Sequence, residues 1–252
     1  MESVIFLSPH LDDVVFSCSG LIQTVLARGG QVQIATVFSR TLNQERIEED
    51  VRACAYLNVE HQHLEFLDAP IRRQQPEVLF QDLEFEKPTI DALTAAFTNL
   101  QNTYPNSLFV APLGVGWHVD HLVVHEAARA ALPPEQLWYY EDAPYRYVSG
   151  QTVLRMSKAS VQQVLDCAQA LKNCGYIQKF KSDWSSEYIN GTLSSTLAYT
   201  IEEKLRKVFE IELSAELAQK SNQTARFYAS QLDFFHAAEA GMVESYYCDS
   251  EL

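Results

Sequence analysis

Residues 4–13, Val4-Ile5-Phe6-Leu7-Ser8-Pro9-His10-Leu11-Asp12-Asp13, decide how the rest of the chain is read. Four consecutive apolar residues predict a short strand covered on both faces, as strands of parallel sheets are. Ser8-Pro9 ends the run, and a histidine and two carboxylates follow at once. From about Val14 to Arg28 the pattern turns helical. Leu21, Ile22, Val25 and Leu26 form an apolar stripe, and Gly29-Gly30 supply the stop. Strand, polar turn and helix together make the first half of a βαβ unit.

The same rhythm continues downstream. Val32 to Phe38 (VQIATVF) is rich in β-branched residues and predicts a second strand. Residues 45–57 predict a helix with Ile47, Val51, Cys54 and Ala55 on one side, and His63 to Leu67 a third strand. Residues 69–88 (APIRRQQPEVLFQDLEFEKP) have no clean period and read as an irregular excursion, the kind of long loop that walls or lids a site. A helix at 89–101, a strand at Leu108–Pro112, a loop from Leu113 to Trp117 and a helix from Asp120 to Leu132 follow, then a strand at Leu137–Tyr140. The last hundred residues read as mainly helical, notably 159–172 and 201–235. Neither a Gly/Ser linker nor an internal repeat divides the chain.

Strands alternating with helices imply right-handed crossovers. The expected fold is therefore a Rossmann-like, doubly wound, mostly parallel α/β sheet. Helices cover both faces, the C-terminal region is helical, and residues 1–252 form a single domain.

Composition narrows the function. The formal charge is −14, from 33 acidic against 19 basic residues, which repels phosphate backbones and anionic lipid. No nucleic-acid partner is expected. No window reaches the ~18 unbroken apolar residues of a membrane span. The start of the chain lacks a basic leader, so a cytoplasmic location without stable membrane insertion is expected. The five cysteines are odd in number and form no CxxC pair, which points to reduced thiols rather than disulfides or a thiolate zinc site. The expected partner is a small molecule, with a homo-oligomer left open. No GxGxxG follows the first strand, so a dinucleotide site is not indicated.

Two clusters carry chemistry. In the first, His10 and Asp13 are three residues apart around a turn at a strand end, where they can converge on a metal while Asp12 points elsewhere. The competing reading is that Asp12 or Asp13 merely caps the next helix. The second cluster is Trp117-His118-Val119-Asp120-His121, again after a strand and at a helix start. Three of the seven histidines (His118, His121, His125) fall within this neighbourhood, as they do at metal sites. His121 and His125 are four apart on a helix and could themselves make a pair, so spacing alone leaves the ligand set open.

The two clusters together resemble the PIG-L/LmbE-like zinc-dependent N-deacetylases, which act on N-acetylglucosaminyl conjugates and related acetylated amines. The resemblance rests on PHLDD at 9–13 and HVDH at 118–121. It extends to Arg46-x-x-Glu49-x-x-x-Ala53, Leu67-Asp68, Tyr140-Glu141-Asp142-Ala143-Pro144-Tyr145, Lys220 and Tyr228-x-Ser230-Gln231. It implies His10, Asp13 and His121 as metal ligands and Asp12 as general base. His118 becomes the group that stabilises the oxyanion or protonates the leaving amine, and Asp120 orients a histidine. His125 then belongs to the helix packing. Zinc is the implied metal, although the same donors suit Fe2+ or another divalent ion.

Many members of that family have Pro and Glu where this chain has Leu11 and Val14. Some carry a tyrosine where this chain has Gly116, so tyrosine assistance would have to come from elsewhere. Arg46 is a candidate to hold substrate hydroxyls or a phosphate, or else is solvated among Glu45, Glu48, Glu49 and Asp50. Trp117 either stacks on a sugar or belongs to the core. Trp138-Tyr139-Tyr140 reads as strand core, whereas Tyr145 and Arg146 lie better to touch a ligand. The alternatives are a two-metal phosphoesterase or amidohydrolase, for which only His125 and Asp120 are spare, and a non-catalytic metal-binding pseudoenzyme.

Overall fold

The computed structural model describes residues 3–40, 43–73, 83–157, 160–173, 205–232 and 237–249. The opening apolar run becomes β1 (Ser3–Ser8), inside a seven-stranded sheet. On one side lie β2 (Gln31–Thr36) and then β3 (Glu60–His63), on the other β4 (Leu108–Pro112) and β5 (Leu137–Tyr140), all parallel. The sheet is completed by β6 (Leu205–Glu212) and β7 (Val243–Asp249), in the order β3-β2-β1-β4-β5-β7-β6. Only β7 runs against the others.

Alternation along β1 divides the core. Val4 and Phe6 face one way, with α1 (Asp13–Ala27), α2 (Gln44–Leu57) and the later helix Ala215–Ala225. Ile5 and Leu7 face the other way, toward α4 (Lys87–Thr103) and α5 (Val119–Ala131). All four side chains are at most 1% exposed, which is why the strand has no polar residue between Ser3 and Ser8. The sheet is thus covered by helices on both faces, as expected.

Topology then fixes where a ligand can enter. From β1 the chain winds outward through β2 to β3, then returns to β4 on the opposite side of β1. The strand order reverses between β1 and β4, and the carboxyl ends of these two strands open the crevice where such sheets bind ligands. Both sequence clusters leave the sheet at this point.

Three expectations need correction. The third strand is Glu60–His63, not His63–Leu67. It is an edge strand, and its polar, largely exposed side chains are the usual protection of an edge, which hid it behind the more apolar stretch that follows. Residues 201–235 are not one helical region: within the described part, Leu205–Glu212 is β6 and Ala215–Ala225 is a helix, here α8. Val243–Asp249 adds a strand where helix was expected. These two strands pair antiparallel beyond β5, so the C-terminal part extends the sheet as well as covering it. The irregular excursion begins with a short helix, α3 (Ala69–Arg73), and ends in a 3-10 turn at Leu83–Glu86. Among the described residues α6 (Gln151–Met156) and α7 (Val161–Asn173) precede β6, the second matching the expected 159–172.

Among the described residues no helix is long and apolar enough to cross a membrane. The described cysteines Cys18, Cys54, Cys167 and Cys248 are all buried and free. Because Leu7 is fully buried near the carboxyl end of β1, Leu7→Ala is expected to cost about 2–5 kcal/mol of unfolding free energy. Urea denaturation measures this, and a loss below about 1 kcal/mol would mean that β1 does not anchor the core.

Candidate metal centre

The turn after β1 is shaped by its own polar atoms. The Ser8 hydroxyl donates to the His10 carbonyl at 2.6 Å and accepts from the Val14 N–H at 3.3 Å, serving the open start of α1. Asp12 stands at the N-cap position, but its side chain makes no capping bond. The capping reading of this carboxylate is therefore not met. Its Oδ2 instead meets Arg46 Nη2 at 3.3 Å. Asp13 Oδ2 accepts from the His10 backbone N–H at 2.7 Å and lies 3.0 Å from His10 Nδ1 and 3.3 Å from His121 Nε2.

His121 arrives from the other side of the switch point. The loop after β4 is tight: Gly114, Gly116 and Trp117 all have positive φ (80°, 87° and 55°). For tryptophan this left-handed backbone costs energy, and such strain gathers at functional sites. Asp142, just past β5, holds the loop. Its Oδ2 accepts the N–H groups of Gly114 and Val115, both at 2.8 Å, and its Oδ1 takes His121 Nδ1 at 2.6 Å. His118 is the N-cap of α5, its Nδ1 accepting from the Asp120 N–H at 3.2 Å.

His10, Asp13 and His121 each bring one donor atom within 4.8 Å of the others. Metal bonds of roughly 2.0–2.2 Å in a tetrahedral arrangement set neighbouring donors ~3.3–3.5 Å apart, close to the 3.0 and 3.3 Å found here. The outer nitrogen of each imidazole meets a buried carboxylate: His10 Nε2 reaches Asp120 Oδ2 at 3.1 Å, and His121 Nδ1 reaches Asp142. Carboxylate, histidine and metal in series is the usual support of such ligands.

The electrostatics also fit a cation. Burial disfavours the charged form of His10, yet Asp13 and Asp120 outweigh it and raise its pKa to about 9. His121 is likewise opposed by burial and raised well above the ordinary value by Asp13 and Asp142. Burial works against Asp13 and Asp120 too, but the imidazoles around them, with Arg72 beside Asp120, keep both below the usual carboxylate range. Such a field stabilises positive charge between the rings, and these residues fit a divalent ion. Asp12 moves the other way, raised by burial against the opposing pull of Arg46. Burial pushes His118 down to about 3, so its ring is neutral, and with Nδ1 accepting, its proton sits on Nε2.

Other expected residues divide clearly. Arg46 is partly buried at the rim against Asp12. Trp117 is fully buried in the core and has no face to offer a sugar, which corrects the stacking assignment. Tyr145 packs edge-on to His121, ring centroids 6.0 Å apart, and is 7% exposed. Arg146 is turned onto α1, donating to the Ser17 carbonyl at 3.1 Å, and does not reach for ligand. His125 is buried in the helix packing, its Nδ1 donating to the Pro112 carbonyl at 2.9 Å.

Residues that sequence reasoning missed come from elsewhere in the chain. Asp142 lay within a quoted motif but had no role until its partners were in place. Arg72, in the supposed irregular stretch, pairs with Asp120 Oδ1 at 2.7 Å. Beside the crevice, Asp50 joins His63 Nε2 and the Tyr228 hydroxyl, both at 2.7 Å, and Glu49 takes the Ser230 N–H and hydroxyl at 2.9 and 2.6 Å. These bonds dock the segment after α8 onto α2, and they join two motif pieces that lie far apart in sequence.

Gly116 has a steric role. A Cβ placed there would come within 2.3 Å of Tyr145 Cγ, on backbone already at φ 87°. Gly116→Ala is therefore expected to displace Tyr145 and cost more than about 1 kcal/mol. Thermal unfolding and the near-ultraviolet tyrosine signal measure it; wild-type values for both would show that Tyr145 does not close over this loop.

Residues 5–132, which span both clusters, match the model of the PIG-L family, described as GlcNAc-PI de-N-acetylase. A 2'-N-acetylparomamine deacetylase from Streptomyces fradiae is 31% identical over 159 residues, 56% of this chain and 57% of that relative's length. The match thus spans little more than half of that relative. Among solved structures, a complex of a teicoplanin deacetylase has a TM-score of 0.66 at 18% identity, covering 98% of this chain and 97% of the other. The deacetylase of the A40926 pseudoaglycone has a TM-score of 0.63 at 17% identity, covering 98% and 96%. At these identities the structures speak for the fold, while the sequence model speaks for descent. The chain belongs to the PIG-L family.

Proposed function

We propose that this protein is a metal-dependent hydrolase that removes an acetyl group from an N-acetylated amino sugar or a related conjugate. The observation that carries this reading is the meeting of His10, Asp13 and His121 at the switch point, with the non-capping carboxylate of Asp12 alongside, paired with Arg46. The family description and the relative that acts on 2'-N-acetylparomamine supply the substrate class. A divalent ion, zinc in the first instance, would acidify a water and polarise the acyl carbonyl.

The chain's own residues divide the remaining work. Asp12 is buried, spared from capping, and raised in pKa, which suits a carboxylate that takes a proton from the attacking water as general base. Neutral His118 presents Nε2–H as donor to the oxygen that gains charge, a preorganised contact worth about 3–4 kcal/mol. The proton that Asp12 takes from the water can then pass to the departing amine. Asp120 holds the His10 ring from behind. Arg46 sits at the rim, where its guanidinium can hold substrate hydroxyls, and Tyr145 forms the wall behind His121. The two-metal alternative has less support: His125 faces Pro112, and a second donor group shares His10 with the first.

The test is acetate release from a panel of N-acetylated sugars, including 2'-N-acetylparomamine and N-acetylglucosamine conjugates. One fold neighbour, a teicoplanin deacetylase, is described in a zinc-inhibited form, so iron(II), cobalt(II) and graded zinc belong in the assay. Asp12→Asn should retain metal while kcat falls by ~10²–10⁴, and His121→Ala should lose both metal and release. A rate for Asp12→Asn within a few fold of wild type would remove the base assignment. Tight metal binding with no release from any substrate would favour a binding role.

A further inference from the structure

A second group of donors overlaps the first: His10, His118 and Asp120 also place one donor atom each within 4.8 Å of one another. Both groups use His10, and a neutral imidazole offers a lone pair on only one nitrogen. Metal at Nδ1, the side facing Asp13, requires the proton on Nε2. Metal at Nε2, the side facing Asp120, requires the reverse. The partner at Nε2 therefore decides which side of His10 a metal can take, and the second group needs in addition that His118 give up the backbone N–H its Nδ1 accepts.

That partner is already committed. Asp120 is 0% exposed. Its Oδ1 accepts from Arg72 Nη2 at 2.7 Å, and its Oδ2 accepts from the Ala69 N–H at 3.0 Å while facing His10 Nε2 at 3.1 Å. Arg72 is itself fixed on three sides. Glu86 takes Nη2 at 3.1 Å, the Leu67 carbonyl takes Nη1 at 2.5 Å, and the guanidinium lies 4.7 Å from the centre of the Phe38 ring. A planar guanidinium locked in this way is a permanent cation beside Asp120, and a divalent ion approaching the same carboxylate would be repelled by it.

We propose that Arg72 is the positioning residue that selects between the two donor groups. By neutralising Asp120 it leaves that carboxylate to accept the Nε2 proton of His10, turns Nδ1 toward Asp13 and His121, and bars metal from the His10–His118–Asp120 group. This inference rests on the metal reading of His10, Asp13 and His121 given above. It also gives a function to α3, since Ala69 and Arg72, one turn apart, grip the two oxygens of the same carboxylate.

The experiment uses cobalt(II) as probe on metal-free full-length protein. Chelator competition gives affinity, the visible d–d spectrum reports the ligand set, and thermal melting of the metal-free form reports the fold. Wild type should take up one equivalent. Arg72→Gln should still take up one equivalent, because both groups share His10, but bind it ~10–100-fold more weakly and with a changed spectrum. Arg72→Lys, which keeps the charge, should stay nearer wild type. If Arg72→Gln does not fold, Glu86→Gln should shift affinity in the same direction by a smaller factor. Affinity and spectrum both equal to wild type would overturn the proposal, even with a lowered melting temperature, because Arg72 would then be structural only. A wild type that binds no cobalt would overturn the metal reading beneath it, an outcome distinct from an unchanged variant.

Discussion

Two fully buried carboxylates, Asp120 and Asp142, each grip the outer nitrogen of one histidine, and the architecture of the crevice follows from that pairing. Burying a carboxylate is costly unless its lone pairs are filled. Asp142 meets the demand with two loop amides and His121; Asp120 does so with Arg72, the Ala69 amide and His10. Each therefore fixes a loop and a ring at the same time. Leaving either set of donors without its carboxylate would strand buried polar groups, at about 1–3 kcal/mol for each group. Rigidity at the two inward-facing imidazole nitrogens is the result.

The sheet explains why these pairs can form at all. Because the strand order reverses between β1 and β4, two loops of separate origin face each other at their carboxyl ends. The loop after β1 brings His10, Asp12 and Asp13, and the loop after β4 with the first turn of α5 brings His118 and His121. β5 adds Asp142 from one flank, and the chain beyond β3 adds Arg72 from the other. The antiparallel pair β6 and β7 stands farther out, and α8 with the segment after it is tied to α2 through Glu49 and Asp50.

What was legible in the sequence was local. His10 to Asp13 and His118 to His121 each lie within a single turn, and the strands before them have apolar cores because both faces are buried. Less legible were features set by neighbours distant in sequence. Arg72 stands in a stretch without period, and nothing nearby predicts its carboxylate 48 residues on. Trp117 beside a histidine invited a ligand role, but positive φ turns its ring into the core. β3 and β6 carry polar side chains because they lie at the edges of the sheet, and polarity there disguises strands as loop or helix. Capping was equally misleading. Asp12 occupies the N-cap of α1 without capping it, while His118, an unusual cap, does that work for α5.

The central claim is that His10, Asp13 and His121 together hold one divalent ion. It is tested most directly by anomalous diffraction from metal-loaded crystals, with data collected on both sides of the metal's absorption edge. The account predicts a single strong peak bounded by His10 Nδ1, Asp13 Oδ2 and His121 Nε2. A peak centred on other side chains, or no peak in protein loaded with excess metal, would contradict it.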